Sequence, residues 1–220
     1  MKVHVVIGLG QFGEHVARRL AAAGREVIAV DSDMRRVEKI KENVARAVRA
    51  DCTSEEAMRA IGAADAESAV VALGEQDFEA AVLGTALLKT LGVKTVIARA
   101  SDAQRGKILA LAGASRLVFP EAEMGEHVAT LLMHASLSST ALLPSGFGLA
   151  EFRAPSAVEG KTLLALNLRR THALTVVAVV RGELALDAVA DLTLQAGDHL
   201  LVAGRTDRLD SLARVWDPQR

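Results

Sequence analysis

Gly8-Leu9-Gly10-Gln11-Phe12-Gly13 near the N-terminus is a Gly-x-Gly-x-x-Gly turn, and the carboxylate of Asp31 lies 18 positions beyond its last glycine. Glycines at that spacing recur by chance, so the context decides. Here an apolar run, 3–8, leads into the turn, and helical spacing of Val16, Leu20 and Ala23 leads out of it. The chemistry this arrangement supports is the binding of a phosphate chain. Gly8 permits the tight turn, Gly10 lets a pyrophosphate approach the backbone, and Gly13 lets the helix pack closely on the strand. The amides of Gln11, Phe12 and Gly13 then open a helix whose dipole favours anions. Asp31, ending the next strand, is placed to accept hydrogen bonds from ribose hydroxyls, and its charge disfavours a 2′-phosphate.

Further candidates sit where later strands end, since ligands of open α/β sheets lie beyond the carboxyl ends of the strands. Those ends carry Ala50-Asp51-Cys52, Leu73-Gly74-Glu75, Arg99 and Glu121. Asp51 is expected to face an adenine amino group and Arg99 to meet a phosphate. Cys52 precedes a helix, a setting that lowers a thiol pKa, but no base stands beside it in the sequence. Equipment for catalysis is missing. His172 and His199 lie in or beside apolar runs and read as structural. His127 and His134 are seven apart, too far for an i, i+4 metal pair. No His-Glu-x-x-His, Cys-x-x-Cys or Gly-x-Ser-x-Gly pattern occurs. A dinucleotide site without such groups reads as a sensor, the alternative being a small NAD-dependent oxidoreductase.

The elements that must position these residues alternate. Strands are expected at 3–8, 26–31, 45–50, 68–73, 94–99 and 117–119. Between them the pattern predicts helices at 12–23, 34–44, from Thr53 to about 62, 78–91 and 103–112. Thr53 and Glu56 make a capping box for the third of these. Six strands separated by helices predict a doubly wound parallel sheet of the Rossmann type. After Pro120 the rhythm changes. One long helix is expected at 124–138, and Pro144-Ser145-Gly146-Phe147-Gly148 is the strongest turn and boundary signal. A strand near 149–153, a helix near 163–169, strands at 174–180 and 198–203, a hairpin turning at Arg181-Gly182-Glu183 and a helix from 207 to about 215 complete a smaller α+β module. The expected division is 1–122, a crossover helix and linker at 123–147, and 148–220.

Bulk composition narrows the functional classes. Half the residues are apolar and only 3 % are aromatic, so the cores must be Val, Leu, Ile and Ala. Formal net charge is −1, from 26 basic against 27 acidic residues, which disfavours a polyanion partner such as nucleic acid. The arginine pairs Arg18-Arg19, Arg35-Arg36 and Arg169-Arg170 are scattered and read as solvated faces rather than as a DNA-reading element. One cysteine excludes an intramolecular disulfide and points to a reducing compartment. No targeting segment and no apolar run of about 18–20 residues is visible, so action at a membrane is expected through a partner.

The order of these residues resembles an RCK domain, the regulator of potassium conductance, of the cytosolic KtrA/TrkA type. Gly8–Gly13, Val30-Asp31-Ser32-Asp33, Ala50-Asp51-Cys52-Thr53, Leu73-Gly74-Glu75 and Phe119-Pro120-Glu121 carry the likeness. So do Gly160-Lys161-Thr162-Leu163 and the run from Val176 to Gly182. The resemblance covers essentially the whole chain. It implies a cytoplasmic homodimer assembling into an octameric ring that docks on a membrane potassium-translocating subunit and gates it. It also implies ATP, ADP or NAD(H) in the glycine-turn site, with Ser32 beside the ribose. Glu121 matches an acidic residue that helps hold Mg²⁺ or Ca²⁺ near the phosphates across the dimer interface, and Arg169 lines up with an arginine used for cyclic di-AMP, while Thr175 stands where an asparagine is common. One departure is that Gln11 stands where ATP-gated members carry an arginine for the terminal phosphate, so ATP/ADP and NAD(H) both remain open as the ligand.

Overall fold

The computed structural model describes residues 2–143 and 145–217. It divides into two compact units, Met1–Glu123 and Met124–Arg220. In the first, β1 (Val3–Ile7), β2 (Glu26–Asp31), β3 (Arg46–Arg49), β4 (Ser68–Val71), β5 (Thr95–Arg99) and β6 (Arg116–Val118) form one parallel sheet in the order β3-β2-β1-β4-β5-β6. The run Val-Ile-Ala-Val in β2 is buried on both faces, as a central parallel strand requires. Helices α1 (Gln11–Ala22), α2 (Met34–Ile40), α3 (Glu55–Ala60), α4 (Phe78–Thr90) and α5 (Ala103–Ala112) link the strands. The apolar side chains gather in two layers, one around Val5, Ile7, Val71 and Leu88, the other around Val6, Val27, Ala29 and Ile40. This is the doubly wound α/β architecture expected from the strand–helix alternation.

The strand order reverses between β1 and β4, since the chain leaves β1 towards β2 on one side and later returns to β4 on the other. A crevice opens at such a switch point, beyond the carboxyl ends of the two strands. Gly8 follows β1 and Leu73-Gly74 follows β4, so the topology alone brings the glycine turn and the 73–75 loop together.

The second unit is built on a five-stranded antiparallel sheet. Its strands β7 (Leu137–Leu142), β8 (Phe147–Arg153), β9 (Thr175–Arg181), β10 (Leu184–Asp187) and β11 (His199–Arg205) run in the order β10-β9-β11-β8-β7. Helix α9 (Thr206–Trp216) packs Leu209, Leu212 and Trp216 into its core, where the Trp216 ring meets Phe152 edge-on, centroids 5.7 Å apart.

Three expectations need correction. The helix placed at 124–138 is α6 (Pro120–Met133), and Leu137–Leu142 is strand β7. Proline suits the first helical turn because its missing N–H has no partner there anyway. Ser138, Ser139 and Thr140 compete for backbone hydrogen bonds and favour extended chain. The helix at 163–169 is two single turns, α7 (Leu163–Leu166) and α8 (Leu168–Thr171), broken where Asn167 takes φ 49°. Thr53 is not a helix cap. Its N–H and Oγ1 both donate to Asp51, at 2.9 and 2.7 Å, and Ser54 caps α3 by accepting the Ala57 N–H at 3.2 Å. Residues 145–146 lie in the hairpin between β7 and β8; Pro144 itself is outside the described residues. Gly182, at φ 61°, turns the hairpin between β9 and β10.

Candidate nucleotide-binding cleft

The glycine turn is shaped by steric necessity. Gly8 sits at φ 87°, and a Cβ there would lie 2.9 Å from Leu73 Cδ2 and 3.0 Å from the Ala72 carbonyl carbon. A Cβ on Gly13 would come within 1.8 Å of the Gly8 carbonyl oxygen, so α1 packs against the turn only because that atom is missing. In front of Gly10 nothing lies within 4 Å of a Cβ position. The backbone there faces open space. Gly10 is extended and offers α1 no side-chain cap, which leaves the first-turn amides for an incoming acceptor.

A cleft of about 390 Å³ opens at this point, lined by Gly8, Gly10, Leu73, Gly74, Glu75, Gln76, Asp77, Arg36 and Arg99. A smaller recess of about 90 Å³ adjoins it, bounded by Asp31, Ser32, Asp51, Cys52, Ala80 and again Gly8, Leu73, Asp77 and Arg36. Most residues singled out from the sequence therefore converge on one crevice. Gln11 and Phe12 do not line it by side chain. Gln11 is exposed, and Phe12 packs from α1 against the core.

Asp31 is only 5 % exposed. Its Oδ2 accepts the Leu9 N–H at 2.6 Å and Oδ1 accepts the Asp33 N–H at 2.8 Å, which fixes the carboxylate against the glycine turn. Arg36 reaches the same Oδ2 at 3.3 Å. The Thr53 N–H and hydroxyl hold Asp51 ionised, below the usual carboxylate range. Arg99 Nη2 donates to Glu121 Oε1 at 2.6 Å, and Glu75 pairs with Arg105 at 2.7 Å.

Cys52 corrects an expectation. Its thiol is pushed up to about 11, first by burial and then by the Asp51 charge. Its Sγ faces the Ala80 carbonyl at 3.8 Å and packs near Gly84. Desolvation outweighs the pull of the short helix that follows, so the residue is a small apolar wall of the recess. Arg36, Gln76 and Asp77 are lining residues that the sequence did not single out. Arg36 had been counted among solvated arginine pairs, although its position five residues after Asp31, on the first turn of the next helix, was a usable signal.

Comparison with known proteins now bears on the whole chain. The TrkA-N domain model matches residues 4–120 and the TrkA-C domain model residues 149–215. The chain is 34 % identical over 209 residues to the Ktr system potassium uptake protein A of Vibrio alginolyticus, covering 94 % of both chains. Identity to the Ktr system potassium uptake protein C of Bacillus subtilis (strain 168) is 32 % over 204 residues, 92 % of each. The chain belongs to the Ktr potassium uptake protein family. Among solved structures, the GsuK channel superposes with a TM-score of 0.72 at 17 % identity, over 99 % of this chain. The GsuK channel bound to NAD gives 0.70 at 17 % identity. These likenesses establish the RCK fold, and the chain spans about two fifths of the length of those channel chains.

Family membership directs attention to three more residues. Glu121 lies at the start of α6 with one carboxylate oxygen already bonded to Arg99. Among the described residues there is no group of three His, Cys, Asp or Glu side chains able to hold a metal ion. No step below depends on a metal ion. Arg169 in α8 and Thr175 at the start of β9 are both exposed, with Leu174, fully buried, between them. No helix of the described residues is long and apolar enough to cross a membrane.

Proposed function

We propose that this chain is a cytoplasmic, nucleotide-binding regulatory subunit of a potassium uptake system, which gates a membrane potassium-translocating partner. The carrying observation is the near full-length match to Ktr potassium uptake proteins, in a chain whose glycine turn and Asp31 retain the geometry of an adenine-nucleotide site. The phosphates rest on the amides of Gln11, Phe12 and Gly13, the ribose on Asp31 and Ser32, and the adenine in the recess beside Asp51 and Cys52. Leu73 and Gly74 form the opposite wall, with Glu75 and Arg99 at the rim. ATP or ADP and NAD(H) are all accommodated by that chemistry.

Gating is a matter of linkage. A ligand shifts a two-state assembly only by the difference in its affinity for the two states. Moving from 1:99 to 99:1 takes about 5.5 kcal/mol, and in a homo-octameric ring each site would contribute a modest share. The role asks no bond-making of the chain. An oxidoreductase would need a proton donor at the nicotinamide end, whereas Arg36, Arg99 and Glu75 around the cleft are each held in an ion pair. Arg169 and Thr175 mark where cyclic di-AMP would meet the second unit in the same reading.

Calorimetry with ATP, ADP, NADH and cyclic di-AMP tests the site directly. Wild-type protein is expected to bind at least one adenine nucleotide, and Asp31→Ala to weaken it by about tenfold or more, the loss of a charge-assisted hydrogen bond pair. Unchanged affinity in Asp31→Ala overturns the assignment. Potassium flux in vesicles carrying the membrane partner then tests gating, with nucleotide expected to alter flux only when the chain is present.

A further inference from the structure

Arg36 stands at the seam of the cleft, lining both the larger phosphate half and the smaller recess beside Asp31. Asp33 caps α2 by accepting the Arg35 N–H at 2.9 Å, which sets the next side chain, Arg36, directly over the end of β2. Its guanidinium reaches the buried Asp31 carboxylate at 3.3 Å, yet the Arg36 side chain is 49 % exposed against 4 % for Asp31.

Counting acceptor positions shows the consequence. An ionised carboxylate offers about four. On Asp31, the Leu9 amide, the Asp33 amide and Arg36 occupy three of them. A ribose diol brings two hydroxyls and needs two positions. Both are backbone amides, one in the glycine turn and one in the β2–α2 connection, and cannot leave without moving the chain there. Arg36 holds the longest of the three contacts on the most exposed group, so it is the partner that yields.

The displaced guanidinium has a destination. The phosphate half of the cleft, which Arg36 also lines, contains Arg99 as its other cation, opposed by Glu75 and Asp77. Arg99 is already bound to Glu121, and Gln11 at the glycine turn carries no charge. A diphosphate entering there meets amides, two carboxylates and one engaged arginine unless Arg36 joins it.

We propose that Arg36 is the charge-reading residue of this cleft: it latches Asp31 in the empty site and transfers to the nucleotide's phosphate chain when the ribose takes its place. The inference rests on the nucleotide reading of the cleft and adds the selection of diphosphates over nucleosides to it. It gives opposite signs for two ligands. Without Arg36 the ribose loses a competitor for Asp31, while the phosphate chain loses a bidentate cation. A residue that merely propped the loop would affect both ligands alike.

The test titrates full-length wild type, Arg36→Gln and Arg36→Lys with ADP by calorimetry, and with adenosine by competition against ADP. Arg36→Gln is expected to weaken ADP by about tenfold or more while adenosine binds as well as before or better. Arg36→Lys, which keeps charge without the planar fork, is expected to fall between. The proposal is overturned if Arg36→Gln holds ADP like wild type, loses both ligands equally, or loses only a 2′-phosphorylated dinucleotide. If wild type binds no adenine nucleotide, the reading of the cleft itself falls. If wild type binds ADP and Asp31→Ala weakens it but Arg36→Gln does not, only the role of Arg36 falls.

Discussion

At the scale of single residues the cleft is a set of groups whose environments decide their chemistry. Asp31 and Cys52 share one recess and meet different partners in it. Two backbone amides donate to the carboxylate, while the thiol is pushed up to about 11, first by burial and then by the Asp51 charge. The nucleophile is the thiolate. Cys52 is therefore expected to react slowly with iodoacetamide at pH 8 in folded protein and quickly once urea unfolds the chain. Equal rates in the two states would mean the recess is open. The same shift has a stability consequence. Folded Cys52 keeps its proton at pH values where the unfolded thiol has lost it. Its contribution is thus constant below about pH 8.5 and is lost as pH rises towards 11. The gap between the urea midpoints of wild type and Cys52→Ala should therefore narrow as pH rises through that range, and a gap that stays constant would show that the site does not hold the proton.

Single elements show how local rules and tertiary contacts share the outcome. The tip of β9 and the turn before β11 are tied by Asp198, which is fully buried. It accepts two bonds from Arg181 and one from the Gln195 N–H, all at 2.8 Å, and these hold its carboxyl below the usual range. Asp198→Ala removes all three bonds and leaves the Arg181 guanidinium with only the Thr193 carbonyl, and is expected to lower unfolding free energy by about 2 kcal/mol in urea titration. Because the folded pKa is depressed, the wild-type contribution is present above about pH 4 and falls away in more acid solution. A variant as stable as wild type at pH 7 would show that the tie is incidental. Elements of the first unit were legible in the sequence because the central strands β2 and β4 are buried apolar runs and α1, α3, α4 and α5 are each followed by a glycine at positive φ, Gly24, Gly62, Gly92 and Gly113. Where hydroxyl side chains decide, the sequence was ambiguous. Thr53 and Ser54 are equally good caps on paper, and Asp51 takes Thr53 for itself. Ser138 to Thr140 read as a helix end until pairing with β8 claims them as strand. Arg36 was hidden for a related reason: a surface arginine and a cleft arginine look alike until the fold brings Asp31 beneath one of them.

The whole molecule carries apolar surface that neither unit consumes. On α6, Met124, Val128 and Leu132 recur every fourth residue and all are exposed, Leu132 by 82 %, whereas Leu131 on the other side packs into the second core. In the first unit Leu83, Ile108 and Leu111 are also exposed, Leu111 by 89 %. Isolated exposed leucines are ordinary, but a helical stripe of large apolar side chains is the mark of a buried contact in an assembly. A regulatory subunit that acts on a partner needs such contacts, because a site within one chain can bias another only through a shared interface. Light scattering after size exclusion is therefore expected to give a mass of several chains for the wild type at micromolar concentration. Leu132→Asp and Leu111→Asp should each lower that mass while leaving the far-UV circular dichroism unchanged, since both side chains lie outside the cores. A wild type that elutes at the mass of one chain, or variants that keep the full assembly, would show that these faces do not join copies of the chain.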